Sequence, residues 1–274
     1  MVLIRSLRMG AYSTMVKCRR SKVNALFLAW QDNMSSHQWF PVGRLDAALD
    51  DSRFWFRYTG GARRAQKEAG FPLLLEFPNL HRAYTSSELF PLFRNRVINT
   101  SRPDLADYLS ALDLPESANP MEILAVSGGA RVTDSYEVFP KIEKDLDGGF
   151  SCRFFLHGWR HVNSAAQRRI DRLIAGEPLY LTLELTNPVT HLAVQIQTTD
   201  YHMVGWAPRY LVHDLTEAMA GTAEYTARVV RLNPLPAPSK QRVLIEMHGR
   251  WGEHQPMSDD DYRPLVHRDR PATA

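Results

Sequence analysis

The sequence predicts an α+β fold, mostly β: an antiparallel sheet with helices, followed by a small β-barrel with two helices. Three observations lead there. Short aromatic or branched runs recur between Val23 and Tyr58 and again between Phe150 and Leu232, and such side chains suit a pleated, half-buried backbone. Helix start and stop signals lie between these runs, in Ser101–Leu114 and Asn119–Gly129. The stretch "DLDGG", Asp145 to Gly149, is the clearest turn in the chain and separates the two halves. The expected organisation is a basic flexible tail at 1–22, an α+β unit at 23–147, a barrel at 148–233, and a linker with a possible extra strand and C-terminal tail at 234–274.

Taken in order, "VNALFLAW", "QWFPVGRL" and "RFWFRY" read as strands. "GGARRAQKEAG" reads as a loop or one helical turn closed by Gly70. In "TSRPDLADYLSALDL", Ser101 is placed to cap a helix, Pro103 to open it, and Leu105, Tyr108, Leu109 and Leu112 to share one face. "NPMEILAVSGG" repeats that grammar, with Asn119 as cap, Pro120 opening, Glu122 completing a capping box and Gly128 as stop. "SYEVFPKIEK" is a strand candidate, and "FSCRFFLHGWRHV" a long strand running into a polar corner. "SAAQRRIDRLIAGE" predicts a helix with a Ser164–Gln167 box, a buried face of Ile170, Leu173 and Ile174, and arginines 168, 169 and 172 opposite. "PLYLTLEL" alternates, with Leu179, Leu181, Leu183 and Leu185 on one side. "LAVQIQTT" and "YHMVGWAP" pair as a hairpin, "RYLVHDLTEAMAG" is a helix, "AEYTARVVRL" closes the barrel, "RVLIEMHGRW" offers one further strand, and "SDDD" at Ser258 is expected to be solvated.

Composition narrows the function classes. Hydrophobic residues make up 44% and charged residues 23% of the chain, the profile of an ordinary globular protein. No apolar run approaches the roughly 20 residues of a membrane span. The net charge of +3 does not by itself argue for nucleic acid. Two cysteines, Cys18 and Cys152, do not make a disulfide framework and fit a reducing, cytoplasmic compartment. The histidines lack metal-ligand spacing, with His248 and His254 the one weak pair, and no nucleophile elbow, Walker loop or dinucleotide fingerprint occurs. Neither metal nor cofactor is therefore expected, and no catalytic residue is assigned.

The second half resembles the HIRAN domain. The pieces that carry this, in order, are "FFLHGWRHV", "GEPLYLTLELTNP", "AVQI" and "VGWAPRYL", between Phe150 and Leu232. The resemblance implies an OB-like barrel that grips the 3′ end of single-stranded DNA in a eukaryotic member of the family. It assigns nucleic-acid contacts to the corner residues Arg160 and His161, to the Asn-Pro loop residues Asn187, Thr190 and His191, and to the helix entry residues Trp206 and Arg209. Three positions depart from the family: Val189 stands where a stacking Tyr often sits, Thr190 where an end-gripping Asp sits, and Leu192 in place of a second Asn. A threonine hydroxyl can bond to a sugar hydroxyl but lacks the paired acceptors of a carboxylate. Trp159, beside the corner, reads as core or as a stacking surface.

The first half is similar, more loosely, to the N-terminal subdomain of HipA-type kinases, through "VGRL", "FWFRY", "FPLLLEFP", "ELFPLFRNRVI" and "NPMEILAVSGG". The kinase core that would follow is replaced by the HIRAN-like half, so this resemblance implies a fold and a coupling role rather than phosphoryl transfer. Arg94, Asn95 and Arg96 form a basic turn that could meet a ligand or partner. Two functions follow. The first is a non-catalytic protein that binds single-stranded DNA ends or damaged DNA in repair or defence, by stacking and phosphate neutralisation. The alternative is an antitoxin-type interaction module acting on a kinase toxin or another protein partner.

Overall fold

Five consecutive apolar residues begin β1 (Ala25–Gln31), and all five are buried. Such a strand must be covered on both faces, and its period of two divides the residues between two cores. Leu26 and Leu28 join one hydrophobic cluster, while Phe27 and Ala29 join the other. The computed structural model describes residues 23–34, 37–131, 133–188, 191–220 and 225–268; the N-terminal tail expected at 1–22 and the last six residues of the expected C-terminal tail lie outside them.

The fold is α+β and mostly β, with two antiparallel sheets. In the first, β1 lies between β2 (Trp39–Ala47) and β5 (Tyr136–Pro140), and β3 (Phe54–Tyr58) and the short β4 (Tyr84–Ser86) extend it in the order β4-β3-β2-β1-β5. Helix α1 (Gly60–Ala69) and helix α4 (Pro120–Ser127) cover one face of this sheet, with the short helices α2 (Pro91–Arg94) and α3 (Leu105–Ala111) between them in sequence. Its aromatic filling includes Phe56 stacked on Phe77 at 3.9 Å, and the Tyr58 hydroxyl donates to the Phe77 carbonyl at 2.8 Å.

The local grammar holds at α4. The Asn119 side chain accepts from the Glu122 amide, the Glu122 carboxylate accepts from the Asn119 amide, and Gly128 closes the helix with φ 73°. It fails at α3, where Asp104 rather than Ser101 occupies the cap position and its carboxylate pairs with Arg102 instead. Ser101 is drawn into a tighter turn by Asn99, whose side-chain oxygen accepts from both its amide and its hydroxyl. "GGARRAQKEAG" proves to be a full helix, closed by Gly70 in the left-handed conformation. Its leading glycines are there for close approach, because a Cβ at Gly60 would lie 2.0 Å from the Asp260 carbonyl oxygen.

The second sheet runs β6 (Gly149–Phe155), β11 (Val243–Arg250), β10 (Thr226–Leu232), β7 (Pro178–Asn187), β8 (His191–Thr198), β9 (Met203–Trp206). These ladders do not close into a barrel. The two edges are joined by one bridge after β6, where the amides and carbonyls of His157 and Trp206 exchange hydrogen bonds of 2.9 and 3.0 Å. Helices α5 (Ser164–Ile170) and α6 (Val212–Ala220) are the two expected helices. Asn163, not Ser164, caps α5 by accepting from the Ala166 amide, and Gln167 serves the preceding corner rather than a capping box. The helix ends at Ile170, six residues before Gly176, so Ile174 falls outside the buried face and is 68% exposed.

The region after Asn233 departs most from expectation. The possible extra strand is β11, an internal strand paired with β6 and β10, in which Val243, Leu244, Ile245 and Met247 are fully buried. Residues 251–268 then return across both sheets. Trp251 stacks on Phe150 at 3.7 Å, the ring of His254 lies 2.7 Å from the buried Asp214, and the Leu265 amide donates to the Tyr58 carbonyl. Asp261, expected in a solvated run, pairs with Arg64 of α1, and Arg268 reaches the buried Asp46 at 2.6 Å. Phe27 and Phe139 of the first sheet meet Tyr262 of this strap and Tyr210 of the second unit, with Phe139 stacked on Tyr210 at 3.9 Å. Gly60→Ala is expected to lift the strap and to cost about 2 kcal/mol, since the clash is with backbone that cannot rotate away. Faster limited proteolysis within 251–268, together with a lowered melting temperature, checks this.

Candidate nucleic-acid interface

The corner after β6 is built by glycine. Gly158 has φ 67°, and a Cβ there would lie 2.5 Å from the Trp206 ring. Only a residue without a side chain lets the corner sit directly on that indole. A turn of 3-10 helix, Trp159–His161, follows and leaves Arg160 and His161 exposed. The turn is fixed from behind, because the Gln167 side-chain amide donates to the carbonyls of Arg160 and Val162, each at 3.1 Å. The Arg160 side chain has no ion-pair partner among the described residues. Trp159 is structural, as its indole N–H donates to the Ser239 carbonyl at 2.7 Å.

Trp206 is pinned on its other side by Glu184. The indole Nε1 donates to Glu184 Oε2 at 2.7 Å, and the Asn187 amide donates to the same oxygen at 2.9 Å. These bonds, Asn187 first and Trp206 second, hold the Glu184 carboxyl below its ordinary range, with a further bond from Gln195 acting the same way. The sheet register explains the convergence. Trp206 stands opposite Gln195, Glu184 stands opposite Ala193, and an irregularity between Glu184 and Asn187 turns the end of β7. Asn187 pairs with His191, which is exposed and has φ 62°.

The structure thus brings Arg160, His161, Trp206 and Asn187 into one neighbourhood through Gly158 and Glu184, and sets His191 beside Asn187. Thr190, with Val189, lies outside the described residues. The Arg209 Nη1 donates to the His37 carbonyl at 2.9 Å, in the connection between β1 and β2, and so ties the two sheets together with one of its donors. Sequence reading missed Glu184. Its outward position was available from the alternation of β7, but the bulge that swings Asn187 onto the same oxygen was not.

Two solved structures are similar to parts of the chain. One is a protein from Lactobacillus plantarum, at 18% identity and a TM-score of 0.31, covering 37% of this chain and 97% of that one. The other is the HIRAN domain of human HLTF, at 18% identity and a TM-score of 0.29, covering 40% of this chain and 84% of that one. No family model matches, and no curated protein matches.

Other residues singled out in the sequence have structural roles. Arg96 is buried, donating to the Gly129 carbonyl at 2.9 Å and pairing with Asp134, and Arg94 forms an exposed pair with Glu88. His248 sits 3.0 Å from Glu246 and His254 beside Asp214, so the two histidines serve different carboxylates. Cys152 is buried, and burial, with the charges of Asp214 and Glu246, pushes its thiol up to about 12, which leaves it un-ionised and a poor nucleophile. No helix among the described residues is long and apolar enough to cross a membrane.

Proposed function

We propose that the second unit binds single-stranded nucleic acid, DNA ends in particular, and holds it without chemistry. The observation that carries this is the seating of the Gly158–His161 corner on Trp206, with Glu184 fixing both Trp206 and Asn187. That arrangement supports the reading drawn from the HIRAN-like motif order in three ways. An exposed, unpaired guanidinium suits a phosphate. A half-buried indole, rigidly held, offers an edge and part of a face to a base. An amide and an imidazole at the hairpin end, Asn187 and His191, offer polar contacts to a terminal sugar.

Glu184 is a positioning residue in this scheme. It spends its acceptors on protein donors, so it orients Trp206 and Asn187 rather than replacing the carboxylate that Thr190 lacks. Arg160→Ala is expected to weaken binding of a fluorescein-labelled single-stranded oligonucleotide about tenfold at modest salt and to flatten the salt dependence, because one phosphate contact is lost. Glu184→Gln is expected to weaken binding with no change in the salt slope. Fluorescence anisotropy across a salt series checks both. Equal affinity and equal slope in wild type and Arg160→Ala would remove the corner from the interface.

A further inference from the structure

We propose that a second contact for the same strand lies on the outer face of the β7–β8–β9 sheet: a two-tyrosine stacking platform, Tyr180 and Tyr201, that takes bases leaving the Arg160–Trp206 corner. This inference rests on the single-strand reading above. Tyr180 is 47% and Tyr201 78% exposed, and their rings lie 6.1 Å apart at 34°. Two large rings left open beside each other offer stacking area that neither core uses.

The backbone supports a dedicated role for Tyr201. It adopts φ 64° in the turn between β8 and β9. A bulky side chain is uncommon there, whereas glycine would fit freely. The turn is held firmly in that shape: the Tyr201 amide donates to the Thr198 carbonyl at 2.9 Å, and the His202 amide donates to the Thr198 hydroxyl at 3.1 Å. Asp200, the residue before it, is paired with Arg169 of α5 at 3.0 Å. Strain of this kind, fixed by its surroundings, points to use of the side chain.

The platform is continuous with the corner. Tyr180, Thr182 and Glu184 alternate outward along β7, Tyr180 faces Gln197, Thr182 faces Gln195, and Gln195 in turn faces Trp206. Glu184 is four residue steps along β7 from Tyr180, about 13 Å, the length of about four stacked nucleotides. The residues between are polar amides and a hydroxyl, suited to base edges and not to an apolar peptide. Charge also selects a polyanion. Arg172 follows Arg169 by one turn, its amide donating to the Arg169 carbonyl, and both Arg168 and Arg172 are exposed without an ion-pair partner among the described residues. The nearby Asp200 and Glu177 share Arg169, so that trio keeps one negative charge against the two open guanidiniums of Arg168 and Arg172.

The test compares a two-nucleotide with a twelve-nucleotide oligothymidylate, each fluorescein-labelled, on the full-length protein. Wild type is expected to bind the longer strand tighter. The double variant Tyr180→Ala/Tyr201→Ala should lose about tenfold or more on the longer strand and nothing on the shorter one. Phenylalanine at both positions should restore binding, since the ring and not the hydroxyl stacks. Arg160→Ala should weaken both strands. If the double variant binds the longer strand as wild type does while Arg160→Ala does not, the platform is excluded and the corner stands. If wild type binds neither strand, both fall together. Both tyrosines are exposed, so circular dichroism of the double variant should match wild type; a misfolded double variant is replaced by the single Tyr201→Ser, for which the same outcomes apply.

Discussion

A chain ending after Asn233 loses cooperative unfolding altogether. The sequence invites that cut, since the Pro-rich stretch "PLPAPSK" follows, but β11 lies beyond it and fills the space between β6 and β10. Removing it deprives β6 and β10 of a partner along their lengths and strips Val243, Leu244, Ile245 and Met247 from the core. Each fully buried aliphatic side chain of this kind is worth about 1.5–3 kcal/mol. Four of them together rival the total stability of an ordinary domain, about 5–15 kcal/mol. Circular dichroism and a urea titration of the truncated protein should therefore show no sigmoidal transition. A truncated chain that melts cooperatively would mean that β11 is dispensable and that the second sheet is organised differently.

Glu246→Gln destabilises the protein by about 3 kcal/mol at neutral pH, as expected for losing one side of a buried ionic cluster. Glu246 is buried on β11 and accepts from Arg153 of β6 at 2.8 Å and from Arg228 of β10 at 2.6 Å, with His248 at 3.0 Å. Arg153 continues the network to Asp113 near the end of α3. Burial alone would raise the Glu246 pKa, but the donors outweigh it and hold the carboxyl at about 2. The folded pKa is thus depressed below the ordinary glutamate value of about 4.3. The stabilisation is fully present above that unfolded value and is lost as pH falls through the folded value of about 2. The gap in unfolding free energy between wild type and Glu246→Gln should be constant from pH 7 to about pH 5 and then narrow towards pH 2. A gap that stays level over the acid range would show that the glutamine loses packing rather than charge.

Elements governed by local rules were legible in the sequence, and elements governed by distant partners were not. The Asn119–Glu122 box and the Gly128 stop are satisfied within a few residues, so their pattern alone specifies α4. The β8–β9 hairpin was readable for the same reason. Ser101 failed as a cap because Asn99, two residues earlier, offers a competing acceptor. The α1 helix was hidden because Gly60 and Gly61 look like breakers, while Gly60 admits the returning strap and Gly61 the Pro41 carbonyl of β2. The alternation of β7 gave its faces correctly but not its depth. Leu179 and Leu181 are buried, whereas Leu183 is 37% and Leu185 73% exposed, because β10 pairs only with the start of β7 in the described residues.

At the candidate site, motif order located Arg160, His161, Asn187 and Trp206 together. Their convergence depends on register: Trp206 reaches Glu184 across β8, and Gly158 reaches Trp206 across the bridge between the sheet edges. Arg209 matched the same motif order, and one of its donors is engaged by the other sheet. Its direction is set by the His37 carbonyl of the other sheet, a partner more than 150 residues away in the chain.

The most direct measurement of the central claim is anisotropy of the intact protein with three oligonucleotides of one sequence: single-stranded, duplex, and single-stranded with a 3′ phosphate. The single strand should bind well above the duplex, because a paired base cannot reach Trp206. The 3′ phosphate should weaken binding less than duplex formation does, because the described site offers Asn187 and His191, and no unbonded carboxylate, to a terminal hydroxyl. Equal, weak binding of all three would contradict the claim that this surface holds single-stranded nucleic acid.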